Sequence, residues 1–443
     1  MKKEYIESSR KLLDFIEKSP SCYHVIKNIQ QSLTAEGFTE LREEQSWKIK
    51  AGGKYFVTRN GSSIIAFYVP SSDFTNFQII ASHSDSPSFK IKENPEIFVD
   101  GHYVELNVEK YGGMIFAPWF DRPLSVAGKI VVKTDKGFEE KLVNIDRDLV
   151  MIPNLAIHMN RDVNDGYKYN AQKDMIPLFG DEKAKGQFMQ LIAECAGAKE
   201  QDVLGSDLFL YNRVPGTIWG ADNEFISSGK IDDLQCAYST VLGFTQAVRG
   251  GKNKKSVSVA CVFDNEEVGS GTKQGADSTF LSDVLERICA LCKKNPVEEY
   301  KMAVADSFML SADNAHAAHP NYLEKADPVN RPYMNCGIVI KFNANQKYTT
   351  DSVSAAVMKG ICEKSGVPYQ VYVNRSDIAG GSTLGNIANA HVSLNTVDIG
   401  LSQLAMHSPY ETAGVKDTLY MTKAAQTFFS THIEKDSNGF SFY

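Results

Sequence analysis

The sequence predicts an α/β fold: a zinc-peptidase-type mixed sheet flanked by helices, split in the chain by a β-rich insertion. Three observations carry the sheet and its interruption. Ser256–Phe263 is an unbroken apolar and β-branched run, as a strand buried on both faces requires. It runs directly into Asp264, Glu266 and Glu267 and then Gly269 and Gly271, so an acidic loop opens where the strand should emerge. From about residue 90 to 225 helical periodicity fades and short alternating runs such as 103–108 and 128–132 recur between glycines and prolines. The expected organisation is an α/β part over 1–90, a β-rich part over 91–225, and the remainder of the α/β part over 226–443.

In chain order, 8–36 reads as two helices broken at Ser19-Pro20, the second stopping at Gly37. Residues 54–58 and 64–68 flank Asn60-Gly61, a hairpin signal. The strand 77–81 leads straight into His83 and Asp85. Within the insertion, 182–196 is the one long helical pattern. Helices are expected from Asp232 to about Val248, at 279–294, at 352–364 and near 414–430, with strands at 337–341, 370–373 and 393–400. A glycine loop at 379–383 precedes a short helix.

At 443 residues the chain can bury a large core, and 43% hydrophobic with 23% charged residues is an ordinary globular composition. A formal charge of -7 without a long basic block gives no footprint for nucleic acid. The amino-terminal region lacks the continuous apolar core of a signal peptide, and no later run is long and apolar enough to span a bilayer. A cytoplasmic protein without a membrane partner is therefore expected. The eight cysteines are scattered; Cys289 and Cys292 form the one C-x-x-C and read as reduced residues of a helix face.

Metal-capable side chains recur where strands end or helices begin. Besides the acidic loop there are His83 with Asp85, Asp232 at a helix start, Asp313 with His316, and His407 after the last strand. Singly, each has a plain explanation: Asp232 as a helix N-cap, a lone histidine as a hydrogen-bonding residue, two adjacent glutamates as a solvated turn. Jointly, two histidines, two aspartates and a glutamate form the mixed N/O set that suits a pair of zinc-like ions. The spacing of His83 and Asp85 also lets the aspartate take the other ring N–H. A second glutamate beside a ligand glutamate stays free to act as a base. No H-E-x-x-H, G-x-S-x-G or phosphate-loop motif is present, and acids at 264–267 would repel a pyrophosphate.

Four stretches, His83–Pro87, Asp264–Ser270, Ser311–Tyr322 and Gln403–Ser408, resemble the M18 family of metallo-aminopeptidases, aspartyl aminopeptidase-like, in the right order over nearly the whole chain. The resemblance implies Asp232 as the carboxylate bridging two divalent ions, His83 and Asp313 completing one site, and Glu267 and His407 the other. It implies Glu266 as general base and Asp85 as the partner of His83. Zinc is the implied metal, with cobalt or manganese compatible with the same donors. The insertion becomes a dimerisation domain, with dimers assembling into a tetrahedral dodecamer and His158 entering the neighbouring subunit's site. Lys341 is implied to pair with an acidic first residue of a peptide, and Gly381 in the glycine loop to line the pocket. The expected activity is removal of the amino-terminal residue from peptides with a free amine. An amidase or deacylase acting on a non-peptide substrate, and a self-assembling shell with a residual site, are the alternatives.

Overall fold

The computed structural model describes residues 1–437 and 439–443. Its centre is a nine-stranded mixed sheet in the order Thr39–Glu40, Gly53–Arg59, Ser63–Val69, Ser256–Phe263, Asn76–His83, Phe308–Ala312, Asn395–Gly400, Ile338–Phe342, Tyr369–Val373. The four inner strands 256–263, 76–83, 308–312 and 395–400 are mutually parallel. Every residue of Asn76–His83 and Ser256–Phe263 is buried, which is why those runs read as continuous rather than alternating. Their register pairs Phe263 with His83 and Ala312 with Ile399, so all four strands end at one edge.

Helices cover both faces. Lys3–Glu17, Cys22–Ala35, Ile231–Gly250, Ser352–Ser365 and Asp417–Ser430 pack on one, through residues such as Leu12, Ile26, Phe244, Met358 and Phe428. Phe280–Cys292, Pro296–Asp306 and Leu384–Ala388 pack on the other, through Phe280, Leu285, Ala303 and Leu384. The hairpin Gly53–Arg59/Ser63–Val69 turns through Asn60 and Gly61, both at positive φ, as the Asn-Gly pair predicts. None of the described helices is long and apolar enough to cross a membrane.

Between the first and second parts of this sheet the chain builds a separate six-stranded sheet from strands lying between residues 88 and 212. It has its own core, with Phe89, Leu106, Val126 and Leu208 packed against Phe188 and Ile192 of the helix Phe188–Cys195. Buried Lys129 of this sheet donates to Glu140 at 3.0 Å and to the Asn60 carbonyl at 3.2 Å, and lies 4.8 Å from the Tyr23 ring centroid. It thus ties the inserted sheet to the hairpin turn and to the second helix.

Some elements differ from the sequence expectation. The helix expected at 182–196 is confined to Phe188–Cys195, because Gly186 at φ 79 breaks the run before it. The helix at 279–294 ends at Cys292, and the Asn295-Pro296 step starts an unexpected one, Pro296–Asp306, with proline in its first turn. Phe308–Ala312, a central strand, is only five residues long and has no punctuation of its own. A five-stranded sheet of short strands was also not foreseen: Thr217–Trp219, Phe225–Ser228, Glu411–Gly414, Ser402–Leu404 and Ala315–His316. All eight cysteines are free, and Cys289 is buried on its helix as expected.

Candidate metal centre

The common edge of the four parallel strands collects the side chains singled out above. His83 is the last residue of its strand, Glu266 and Glu267 form a single turn two residues beyond Phe263, and Asp313 follows Ala312 directly. Asp232 arrives from the short sheet, after Phe225–Ser228 and a left-handed Lys230, and the peptide joining it to Asp233 is cis. His407 sits between two strands of the same short sheet, its backbone at φ 66.

The two carboxylate oxygens of Asp232 face two different histidines. Oδ1 is 3.5 Å from His83 Nε2, which is also 3.7 Å from Asp313 Oδ1. Oδ2 is 3.5 Å from His407 Nε2, which is 3.4 Å from Glu267 Oε2. These separations are long for N–H···O bonds. They match the edge of a zinc coordination tetrahedron, about 3.3 Å for bonds of about 2.0 Å. Asp232 Oδ1 and Glu267 Oε1 are buried with no hydrogen-bond partner, although a buried carboxylate oxygen without one is strongly disfavoured. His83, Asp232, Asp233 and Asp313 present donor atoms within 4.8 Å of one another, as do Asp232, Glu267 and His407. The donor set therefore fits divalent cations, with Asp232 common to both groups.

The electrostatics point the same way. Burial raises Glu266 to about 8 and pushes Glu267 and Asp233 well up, with neighbouring carboxylates adding to the rise. Asp232 alone goes down: burial would raise it, but the His407 and His83 imidazoles facing its two oxygens outweigh that. His83 goes up, the Asp233 charge and its carboxylate partners overcoming burial. So many acids in one buried place favour an added positive charge.

Supporting residues hold this arrangement. His83 Nδ1 is hydrogen-bonded to the Asp85 backbone carbonyl at 3.1 Å and lies 3.3 Å from its Oδ1, and the two carboxylate oxygens of Asp85 accept the backbone N–H groups of Glu266 (3.2 Å) and Glu267 (3.1 Å). Tyr111 of the inserted sheet donates its hydroxyl to Asp85 at 2.7 Å. Gly112 follows at φ 76, where a Cβ would stand 3.1 Å from Glu267 Cβ, so the tip of that strand lies against the cluster. Gly400 has a like role: a Cβ there would come within 2.0 Å of the Asp313 carbonyl oxygen. Asp233 accepts the His83 N–H at 3.1 Å, and Glu411 accepts those of Asp232 and His407.

The remaining expected residues stand differently. Lys341 is 3% exposed, and its ammonium donates to Asp313 Oδ2 at 3.1 Å and to the Asn314 carbonyl at 2.8 Å. Gly381 is exposed in the 379–383 loop with open space around its Cα. His158 is exposed in a turn of the inserted segment, between exposed Ile157 and Met159. His316 is exposed and lies beside Tyr372. Asp264 is buried behind the cluster, where burial raises its carboxyl to about 7. With Asp85, Tyr111 and Glu411 it lines a cavity of about 910 Å³ between the inserted sheet and the first two helices.

Tyr111, Asp233, Asn314, Gln403 and Glu411 were not singled out in the sequence. Asn314 and Gln403 lie inside the stretches that carried the family resemblance, and Asp233 adjoins Asp232, so each had a local signal. Tyr111 and Glu411 had none, because their partners are distant in the chain.

A family profile described as "Aminopeptidase I zinc metalloprotease (M18)" matches residues 15–429. A "Probable M18 family aminopeptidase 2" of Clostridium acetobutylicum is 48% identical over 97% of this chain and 100% of its own length. An "Aspartyl aminopeptidase" of Dictyostelium discoideum is 35% identical over 98% of each chain. Among solved structures, the yeast mApe1 dodecamer superposes with a TM-score of 0.85 at 26% identity, covering 96% of this chain and 97% of that one.

Proposed function

The chain belongs to the M18 family of zinc aminopeptidases, and on that premise we propose that it releases the amino-terminal residue of peptides at a two-ion centre. His83, Asp232 and Asp313 would hold one ion; Asp232, Glu267 and His407 the other. The observation that carries this reading is the double-facing Asp232, each oxygen turned to a different histidine. When bound, such ions supply Lewis acidity to the scissile carbonyl and make a water nucleophilic at neutral pH.

The chain's own residues do the rest. Glu266, beside the cluster and outside both ligand sets, takes the proton of the attacking water and delivers it to the departing amine. Asp85 fixes the His83 ring and, by gripping two consecutive N–H groups, aims Glu266 and Glu267 together. The substrate's free amine finds excess carboxylate here, which favours an exopeptidase over an N-acyl amidase. Lys341 has three N–H donors, and two are committed to Asp313 and Asn314. We assign the third to an acidic first side chain, and Gly381 to the border of the pocket that would take it. The likeness to an aspartyl aminopeptidase supports this preference.

In the assembled protein, His158 from a neighbouring subunit would donate to the developing oxyanion. Its exposed position, flanked by exposed Leu155, Ile157 and Met159, and the likeness to a dodecamer support a homo-oligomer of dimers. The test is a peptide library digested by the zinc-loaded protein and read by first-residue release, beside the same peptides N-acetylated. Release from free-amine peptides alone supports the reading; hydrolysis of the acetylated set would replace it with an amidase.

A further inference from the structure

This inference rests on the two-ion reading and concerns residues behind the ligands. Glu411 is 1% exposed and lies at the edge of the cavity described above. Its Oε2 accepts the Asp232 N–H at 3.0 Å and its Oε1 the His407 N–H at 2.7 Å. One carboxylate thus grips the backbones of two residues whose side chains face the same ion position. The grip matters most at His407, whose φ of 66 is a conformation that a histidine seldom holds unaided.

The same Oε1 accepts Gln403 Nε2 at 3.3 Å, and Gln403 Oε1 accepts Asn314 Nδ2 at 2.7 Å. The Asn314 carbonyl accepts Lys341 Nζ, which also pairs with Asp313. Glu411, Gln403, Asn314 and Lys341 are all buried, so an unbroken polar chain runs from behind one ligand set to a ligand of the other. We propose that Glu411 is the positioning residue of the Asp232–Glu267–His407 ion position, and that the Gln403–Asn314 bridge locks it in register with the His83–Asp313 position.

A carboxylate accepts only, whereas a glutamine of the same shape must turn an NH₂ toward one of the two N–H donors. That leaves one buried amide without an acceptor. Residues that orient metal ligands typically change metal affinity by about 10–100-fold when altered. The experiment is a zinc titration of the stripped, fully assembled protein against a chelating indicator, for wild type, Glu411→Gln and Gln403→Met, with Tm measured on each stripped sample.

Wild type should show two ions per chain. Glu411→Gln should weaken one ion by about tenfold or more, leave the other within about twofold, and keep the stripped Tm. Gln403→Met retains Glu411 and should weaken the same ion by less. Two wild-type-like affinities in Glu411→Gln would overturn the proposal. So would loss of both ions in step with a lowered stripped Tm, which marks a merely structural residue. Should Glu411→Gln not fold, an unchanged second-ion affinity in Gln403→Met overturns it instead. A wild type holding a single ion sinks the two-ion reading underneath, and the proposal with it.

Discussion

Two neighbouring glutamates carry different expectations although they share one turn. Glu266→Gln keeps size and removes the base, so turnover should fall by about 10²–10⁴-fold with zinc content unchanged. Normal turnover in that variant would show the base to be elsewhere. His407→Ala, by contrast, should lose one ion on dialysis. Tyr111→Phe removes a single hydroxyl that donates to Asp85; a cost near 1 kcal/mol in stability and a modest drop in kcat are expected, with KM little changed. The grouping of His83, Glu266 and Glu267 was legible because each lies at or just past the end of a strand whose apolar run announces it. Tyr111 and Glu411 were not, since what makes them matter is a partner that only tertiary folding supplies. Lys341 shows the same boundary: the resemblance implies a partner in the substrate, and folding also buries it against Asp313.

The long buried strands followed the sequence, and the strands of the small sheet did not. Asn76–His83 and Ser256–Phe263 are buried end to end, whereas the strands of the small sheet are too short to display any period. That small sheet nevertheless delivers Asp232 and His407. Helix ends can be tested directly. In Ser352–Ser365, Asp351 accepts the Ser354 N–H at 2.7 Å and completes a capping box, so Asp351→Ala should cost about 1 kcal/mol in denaturant unfolding. Asp417, buried at the start of the last long helix, provides a pH test. Burial raises its carboxyl to about 7, against the N–H groups of Asn335 and Gly337 that pull it down. Its folded pKa thus lies above the unfolded value of about 3.9. Between those values the unfolded chain has released the proton and the folded chain has not. The contribution to stability is therefore full below about pH 4 and lost as pH rises through 7. Relative to Asp417→Asn, wild type should lose Tm steadily from pH 5 to 8; a pH-independent gap would refute the linkage.

For the whole molecule, two measurements bear on the assembled centre. On the two-ion proposal, removing the ions leaves Asp232, Glu267 and Asp313 close together with less positive charge to offset them, so a chelator should lower Tm and zinc restore it. A ligand at about 1,000 times its Kd stabilises by about 4 kcal/mol. An unchanged Tm after verified stripping would mean that the fold does not depend on the ions. The proposed exchange of His158 between subunits makes a sharper forecast. His158→Ala and Glu266→Gln proteins, each inactive, should regain activity when unfolded and refolded together. Mixed pairs then contain one site with both groups intact, about a quarter of all sites for random twofold pairing. No recovery from demonstrably mixed oligomers would place His158 in its own subunit or outside the reaction.

The order of the ligands along the chain has a consequence for how the protein is made. On the proposed assignment, the first set is complete once Asp313 has been synthesised, but the second waits for His407, and Glu411 follows it. The inner strand Asn395–Gly400 pairs with Phe308–Ala312, directly before Asp313. A nascent chain on the ribosome therefore exposes several acids and one imidazole long before it can shape a selective cage around them. A complete two-ion cage, on that assignment, requires Asn395–Gly400 to have closed against Phe308–Ala312 first.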